Sequence, residues 1–230
     1  MVTGDNKGHV YEKKIVKILQ DRKLVPEGAT GAGSGPGTDV VFLHNKKQFK
    51  LEIKNNVTSP DYGQKRLIPY LEGKKWKWNW APGVIDEKIT KYYTSLGVLD
   101  YLNKKNITPN KYRKSNNSLT LKDVKQDQEN FEDKTYSIGN EAFVKFYEDK
   151  ADYVQIGKGF GLFHLKSDKA KLGTDKFNGE FILRFRAKRH TTKNNHSYSF
   201  FAVLKCKKVV KKSKYNLEEE QNNTFPPIQP

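Results

Sequence analysis

Apolar and polar residues recur with two different periods near the start of the chain. From residue 7 to residue 24 the apolar side chains follow helical spacing, which predicts an amphipathic helix. Residues 39–43 and 48–54 instead alternate with a period of two, and the polar pair Asn45 and Lys46 between them is typical of a tight turn. The pattern therefore predicts a helix followed by a β-hairpin.

Helical spacing returns further along the chain. Residues 62–71, 84–103 and 139–147 are predicted as helices. The polar, Asn- and Lys-rich stretch 103–134 is predicted as a surface excursion with one short element at 119–124.

The C-terminal part is dominated by strand patterns. Residues 153–165, 180–189 and 198–210 are predicted as strands, and the last two are joined by a polar loop, 190–196. The tail, 218–230, is charged and then Pro-rich, so it is predicted to be loosely ordered. This order of elements indicates a mixed sheet flanked by helices.

The tight turn also predicts which side chains share a face of the hairpin. A turn centred between Asn45 and Lys46 places Asp39 opposite Glu52, with Lys54 on the same face. The other face is almost wholly apolar and is therefore the natural core face; it consists of Val40, Phe42, Phe49, Leu51 and Ile53.

The polar face of this hairpin carries candidate chemistry. Two directly opposed carboxylates, those of Asp39 and Glu52, repel each other unless a cation lies between them. Carboxylate oxygens are hard ligands that favour Mg²⁺. Lys54 is then placed to hold an attacking water or to stabilise developing negative charge. The alternative, a surface ion-pair ladder, is disfavoured because it would set an acid against an acid.

The charge balance points to a polyanionic partner. Lys and Arg number 43 against 26 Asp and Glu, a formal net charge of +17, which is typical of proteins that bind nucleic acid. The alternative is a highly charged soluble surface. The single cysteine, Cys206, excludes an intrachain disulfide and predicts a reducing, intracellular (cytoplasmic) location. No signal peptide or membrane-spanning run is evident, so no membrane partner is expected.

The acidic and basic residues of the hairpin also resemble a known motif. Asp39, twelve further residues, Glu52, one residue and Lys54 are similar to the core motif of the PD-(D/E)XK, or restriction-endonuclease-like, nucleases. Thr38 stands where the proline of the family name is expected. The resemblance covers about residues 8–70.

The resemblance implies an α/β, restriction-endonuclease-like core with a central mixed β-sheet flanked by helices, and the strand patterns described above add a β-rich C-terminal elaboration. We therefore expect a single nuclease domain over residues 1–217, with a catalytic core at about 8–100 and a recognition elaboration at about 104–217. The implied activity is Mg²⁺-dependent hydrolysis of DNA phosphodiester bonds, leaving a 5′-phosphate, with Mn²⁺ expected to substitute for Mg²⁺.

Three more residues follow from the resemblance. The backbone carbonyl of Ile53 is expected to complete the metal site. Members often carry an acid on the first helix, and Glu12 is the candidate; its alternative role is an ion pair at the edge of an amphipathic helix. Gln64, on the predicted helix after the Lys54 strand, is a candidate neighbour of the active site or an ordinary exposed residue.

Candidate DNA contacts lie in three segments. The Gly-rich loop 28–37 lacks the Gly-Lys-Ser/Thr ending of a nucleotide-binding loop, and its Ser34 is predicted to contact phosphate. In the second segment, 74–80, cations alternate with tryptophans, and the alternative is that the tryptophans pack in the core. In the third segment, 184–195, cations alternate with apolar residues, and the alternative is phosphate contact without base readout. The candidate residues in these two segments are Lys74, Lys75, Lys77, Arg184, Arg186, Lys188, Arg189 and Asn195.

The predicted function is sequence-specific cleavage of double-stranded DNA by a type II restriction endonuclease acting as a homodimer. A homing endonuclease, a phage nuclease or a Holliday junction resolvase would use the same core. A non-catalytic DNA-binding protein and an RNA-binding or RNA-cleaving protein are further alternatives.

Overall fold

A computed structural model describes residues 6–26, 37–83, 87–110, 119–131, 134–192, 195–218 and 224–230. The helices of the described residues are α1 (Lys7–Asp21), α2 (Glu87–Ser95), α3 (Val98–Lys104), α4 (Leu121–Phe131) and α5 (Asn140–Tyr147). The first strands are β1 (Val40–His44), β2 (Lys47–Lys54), β3 (Gln64–Glu72), β4 (Lys75–Trp80) and β5 (Thr135–Ile138). They are followed by β6 (Tyr153–Ile156), β7 (Gly161–His164), β8 (Asp175–Lys176), β9 (Gly179–Thr192) and β10 (Asn195–Val209).

The chain divides into two compact units, each assembled from discontinuous stretches. Unit 1 comprises Met1–Pro60, Phe143–Glu180 and Cys206–Pro230, and unit 2 comprises Asp61–Ala142 and Phe181–Lys205. The boundaries expected from the sequence, in contrast, are continuous along the chain. The overall class is mixed α/β, as predicted, with one mixed sheet and a second sheet whose described pairings are antiparallel. None of the described helices has the length and apolar character needed to cross a bilayer.

Unit 1 is built around a mixed sheet with the strand order β1-β2-β6-β7-β8. β2 runs antiparallel to β1 and parallel to β6. Helix α1 begins after Asn6, whose side-chain oxygen accepts a hydrogen bond from the N–H of Gly8 at 3.1 Å. Its apolar stripe is buried against the sheet, where it shares one core with the hairpin; the stripe consists of Ile15, Val16, Ile18 and Leu19.

Unit 2 contains a sheet with the strand order β4-β3-β10-β9-β5. Its core includes an aromatic cluster around Trp78, whose ring centroid lies 4.9 Å from that of Phe131 and 4.8 Å from that of Phe200. Trp78 and Phe131 are fully buried. The three rings come from a hairpin strand, a helix and a long C-terminal strand, so one cluster joins separate parts of the sequence.

Several predicted elements differ from the structure. Most of the segment 62–71, predicted as a helix, lies in β3. Lys65, Leu67 and Pro69 are buried while the residues between them are more exposed, which is the period of a strand, and β3 pairs on both sides. The single helix predicted for 84–103 is instead α2 and α3 in its described part, separated at Gly97, whose φ of 80° interrupts the helix.

The middle and the end of the chain are also more ordered than predicted in their described parts. Helix α4 is longer than the element expected at 119–124, and it ends on the buried Phe131. In the tail, the guanidinium of Arg22 lies 3.7 Å from the ring centroid of Phe225. The backbone N–H of Gln229 donates to Nδ1 of His44 at 3.1 Å, and its carbonyl accepts from Asn45 at 2.9 Å. These contacts attach the end of the tail to the β1–β2 turn and to the end of α1.

Candidate active site

The β1–β2 hairpin has the register predicted from the sequence. Val40 pairs with Leu51 and Val41 pairs with Lys50. The same register, continued by one residue away from the turn, places Asp39 opposite Glu52. The turn is tight because both of its residues adopt left-handed backbone conformations, with φ of 49° at Asn45 and 63° at Lys46. The predicted apolar face is buried in full; it consists of Val40, Phe42, Phe49, Leu51 and Ile53.

Asp39 is held across the hairpin by the backbone of β2. Its Oδ2 accepts a hydrogen bond from the N–H of Ile53 at 2.7 Å. The hydroxyl of Thr38, the residue before Asp39, donates to the carbonyl of Leu51 at 3.1 Å. Two hydrogen bonds therefore fix the approach to β1, and they restrict the position of the Asp39 carboxylate.

Glu52 is a buried acid with two side-chain donors. Only 5% of the residue is exposed, and its Oε1 accepts from Nζ of Lys54 at 2.5 Å and from the hydroxyl of Tyr147 at 3.0 Å. The Lys54 side chain is itself 13% exposed, and its ammonium lies 5.8 Å from the centroid of the Tyr147 ring. A buried carboxylate needs such partners because an uncompensated buried charge is costly.

The acids of this site perturb one another. Burial raises the pKa of Asp39 to about 7, and the negative charge of Glu52 adds to the rise, whereas Lys54 and the Ile53 N–H act against it. The pKa of Glu12 is also raised, first by burial, with His9 and Lys54 lowering it and Glu52 raising it. The charge of Glu12 in turn contributes to the raised pKa of Asp39. Helix α1 thus brings Glu12 within electrostatic reach of the hairpin acids.

The donor chemistry of this site fits a hard divalent cation. Asp39 and Glu52 supply carboxylate oxygens, and a cation between them would offset both the burial and the repulsion by Glu52 that raise the pKa of Asp39. Within the described part of the chain, no three His, Cys, Asp or Glu side chains are grouped as a metal site. A cation here would therefore have two protein carboxylates and would retain water, as Mg²⁺ commonly does. The role of the Ile53 carbonyl stays a prediction.

The other predicted site residues belong to unit 2 or are not described by the structure. Gln64 is the first residue of β3 in unit 2, on a strand and not on the expected helix, whereas Asp39, Glu52 and Lys54 belong to unit 1. Ser34 lies outside the described residues, and so do the side chains of Arg189 and Asn195.

The described basic candidates are all in unit 2. Lys74, Lys75 and Lys77 lie at the turn between β3 and β4 and on β4 itself. On β9, Arg184 and Lys188 are exposed on a strand whose alternate side chains are buried, as the sequence predicted; the buried residues are Phe181, Leu183, Phe185 and Ala187. Arg186 pairs with Asp61 at 3.3 Å.

Two residues of the site were not found from the sequence. Tyr147 ends α5, and its position four residues after Phe143 on a predicted helix indicates only an aromatic helix face. Gly157 follows β6, and its N–H donates to the carbonyl of Lys54 at 2.8 Å. A Cβ at Gly157 would lie 2.6 Å from the carbonyl oxygen of Asn55, so only glycine permits this approach of the chain to the end of β2.

Comparison with protein-family models, curated proteins and solved structures finds no match for this chain.

Proposed function

We propose that this protein is a Mg²⁺-dependent endonuclease that hydrolyses phosphodiester bonds of double-stranded DNA, with the sequence specificity of a type II restriction endonuclease and a homodimer as its active form. The observation that carries this proposal is the juxtaposition of Asp39 and Glu52, two restrained acids, with the largely buried Lys54 on one hairpin. Mn²⁺ is expected to substitute for Mg²⁺.

Burial and charge at this hairpin support a catalytic role over a structural one. A structural ion pair needs one acid for one base, yet two acids face Lys54, and Asp39 has a pKa raised to about 7. Titratable groups with strongly perturbed pKa values cluster at functional sites. The arrangement costs stability in the absence of a ligand, and a bound cation would recover that cost.

Asp39 and Glu52 would hold the metal, and Glu12 is placed to add negative charge from α1. When bound, Mg²⁺ supplies Lewis-acid polarisation of a phosphate oxygen and lowers the pKa of a coordinated water. Lys54 would orient the attacking water or stabilise the negative charge that develops on the phosphate. Tyr147 would act as a positioning residue, because its hydroxyl restrains the Glu52 carboxylate.

The proposal is tested by incubating a mixed-sequence plasmid with the protein in Mg²⁺ and in EDTA. Discrete fragments that require Mg²⁺ are the expected result, and they would expose the target sequence. A continuous smear of fragments would support nuclease activity and contradict the proposed sequence specificity. No cleavage of duplex DNA by wild-type protein would overturn the enzyme proposal for that substrate, and a four-way junction offered in parallel would reveal a resolvase.

Two variants of strand β2 test whether the activity belongs to this site. Lys54→Gln keeps a hydrogen-bond donor toward Glu52 but removes the positive charge, so the cleavage rate is expected to fall by roughly 10²–10³-fold. Lys47→Gln, on the exposed start of the same strand, is the matched control and should cut at close to the wild-type rate. Circular dichroism spectra and thermal midpoints of both variants would separate a lost reaction from a lost fold. Equal activity of the two variants would exclude Lys54 from catalysis.

A further inference from the structure

A basic groove lies within unit 2, whereas Asp39 and Glu52 belong to unit 1. Its volume is about 830 Å³, within the range of about 300–1,000 Å³ usual for ligand sites. One wall is formed by the β3–β4 hairpin, which contributes Lys74, Lys75, Trp76 and Lys77. The other wall is formed by α3 and the residues that follow it, including Lys104 and Asn106.

The charge of the groove is one-sided. Among the described residues that line it, four are lysines and one, Asp100, is an acid. Lys77 also pairs with Glu72 at 3.2 Å, but both side chains of that pair are substantially exposed, so the pair is a weak one. Positive charge in a concave surface concentrates the field and attracts anions more strongly than the same charge on a convex surface.

Two hydrogen bonds, one part-buried and one buried, join the walls of the groove. The backbone N–H of Trp78 on β4 donates to Oδ1 of Asn103 on α3 at 2.7 Å. The indole N–H of the same residue donates to the carbonyl of Ile107 at 3.2 Å. Because Trp78 is only 1% exposed, its indole bond is shielded from water, and the two bonds together hold β4 against α3 and the residues that follow it.

Trp76 and Trp78 have different roles, although both were candidates for core packing or for base contact. Trp78 belongs to the aromatic core, whereas Trp76 is half-buried and lines the groove. The groove therefore combines ammonium groups with the half-buried indole of Trp76 and the amide of Asn106. Ammonium groups match phosphate oxygens, and indole and amide groups match the sugars and base edges beside them.

We propose that this groove binds the sugar-phosphate backbone of the DNA substrate, with Lys75 and Lys104, from opposite walls, each neutralising a phosphate. The proposal rests on the proposed function for its choice of DNA as the ligand. Binding here is electrostatic and independent of the metal site, so it persists in EDTA, where no cleavage takes place.

The experiment measures binding of a labelled DNA duplex of about 20 base pairs in EDTA, between about 50 and 200 mM salt. The groove variant is Lys75→Gln with Lys104→Gln. The matched control is Lys122→Gln with Lys125→Gln, which removes the same charge from exposed positions of α4 in the same unit. Each phosphate contact contributes about 0.9 to the slope of log affinity against log salt concentration, so the groove variant should lose about 1.8 and bind at least ~10-fold more weakly at low salt.

The control variant is expected to keep the wild-type slope. A groove variant that matches the control in slope and affinity would overturn the proposal, and so would wild-type protein that does not bind the duplex. Tighter binding of an RNA duplex, with the same loss of slope, would overturn the assignment to DNA. A groove effect without any plasmid cleavage would contradict the nuclease proposal and leave the groove proposal standing, so the two failures are distinguishable.

Discussion

The hydroxyl of Tyr147 donates a hydrogen bond across 3.0 Å to Oε1 of Glu52, 95 residues earlier in the chain. Lys54 donates to the same oxygen. Two donors at one oxygen fix the rotation of the carboxylate, and they attach helix α5 to strand β2 within unit 1. Groups that orient a metal-binding side chain are as much a part of such a site as the ligand itself.

Tyr147→Phe is expected to raise the Mg²⁺ concentration needed for half-maximal cleavage by roughly 10- to 100-fold, because the Glu52 carboxylate loses an orienting donor. The free energy of unfolding should fall by about 1 kcal/mol. Tyr153→Phe is the control: its hydroxyl donates to Asp168 and accepts from the N–H of Ala170. That variant should lose similar stability while its Mg²⁺ dependence stays unchanged. An equal Mg²⁺ response in the two variants would reduce Tyr147 to a structural residue.

The hairpin could be predicted from the sequence because its determinants are local. A polar turn pair, strict alternation and one wholly apolar face set the register, and a slip by one residue would expose the core face. The position of Asp39 and Glu52 on one face follows from that register alone. The first helix was predictable for the same reason, since its apolar stripe has one period throughout.

The rest depends on contacts that are distant in sequence. Residues 62–71 hold Pro69 and alternate only weakly in sequence, and they become a strand because β4 and β10 supply partners on both sides. Tyr147 reaches Glu52 only because β6, which follows its helix, pairs in parallel with β2. No spacing in the sequence encodes these strand pairings. Neither the position of Gln64 on a strand nor the contact between Tyr147 and Glu52 could therefore be derived from local pattern.

The turn of the hairpin offers a stability test. Lys46 has a φ of 63°, a left-handed conformation that is strained for residues with a Cβ, whereas Asn45 tolerates it better. Lys46→Gly should raise the free energy of unfolding by roughly 0.5–1 kcal/mol, because Asn-Gly is the preferred pair for such turns. Lys47→Gly, one residue later in extended strand, should lower it by a similar amount. Urea unfolding of both variants checks the pair, and loss of stability in both would contradict the turn geometry.

Gly157 offers a test of the backbone beside Lys54. In Gly157→Ala the new Cβ would lie 2.6 Å from the carbonyl oxygen of Asn55 and 2.9 Å from the Tyr11 ring, so the end of β2 must move. Stability should fall by roughly 1–3 kcal/mol, and cleavage at saturating Mg²⁺ should slow, because Lys54 is displaced. Gly8→Ala in α1, where the nearest atom lies 3.6 Å away, should instead stabilise slightly. Normal activity and stability of Gly157→Ala would show that the two segments do not approach this closely.

The raised pKa of Asp39 predicts how the stability of the metal-free protein varies with pH. The ordinary pKa of this group is 3.8 and its pKa in the folded chain is about 7, so between these values the folded state holds a proton that the unfolded state has released. The stabilising contribution of that proton is complete below about pH 4 and is lost as the pH rises through about 7. Asp39→Asn does not titrate in this range, so it should not lose stability in this way, and its amide oxygen can still accept the hydrogen bond from the N–H of Ile53.

Wild type should therefore lose stability relative to Asp39→Asn as the pH rises from about 4 to about 7, and the difference in unfolding free energy should level off above that. Urea unfolding in EDTA across this range measures it. Asp21→Asn, at an exposed acid that pairs with Lys17 on α1, serves as the control for the loss of one carboxylate from unit 1. Saturating Mg²⁺ should shift the difference back toward wild type, because the cation binds more tightly to the chain that has both carboxylates. A pH-independent difference would mean that the Asp39 carboxylate is neither buried nor repelled as the geometry requires.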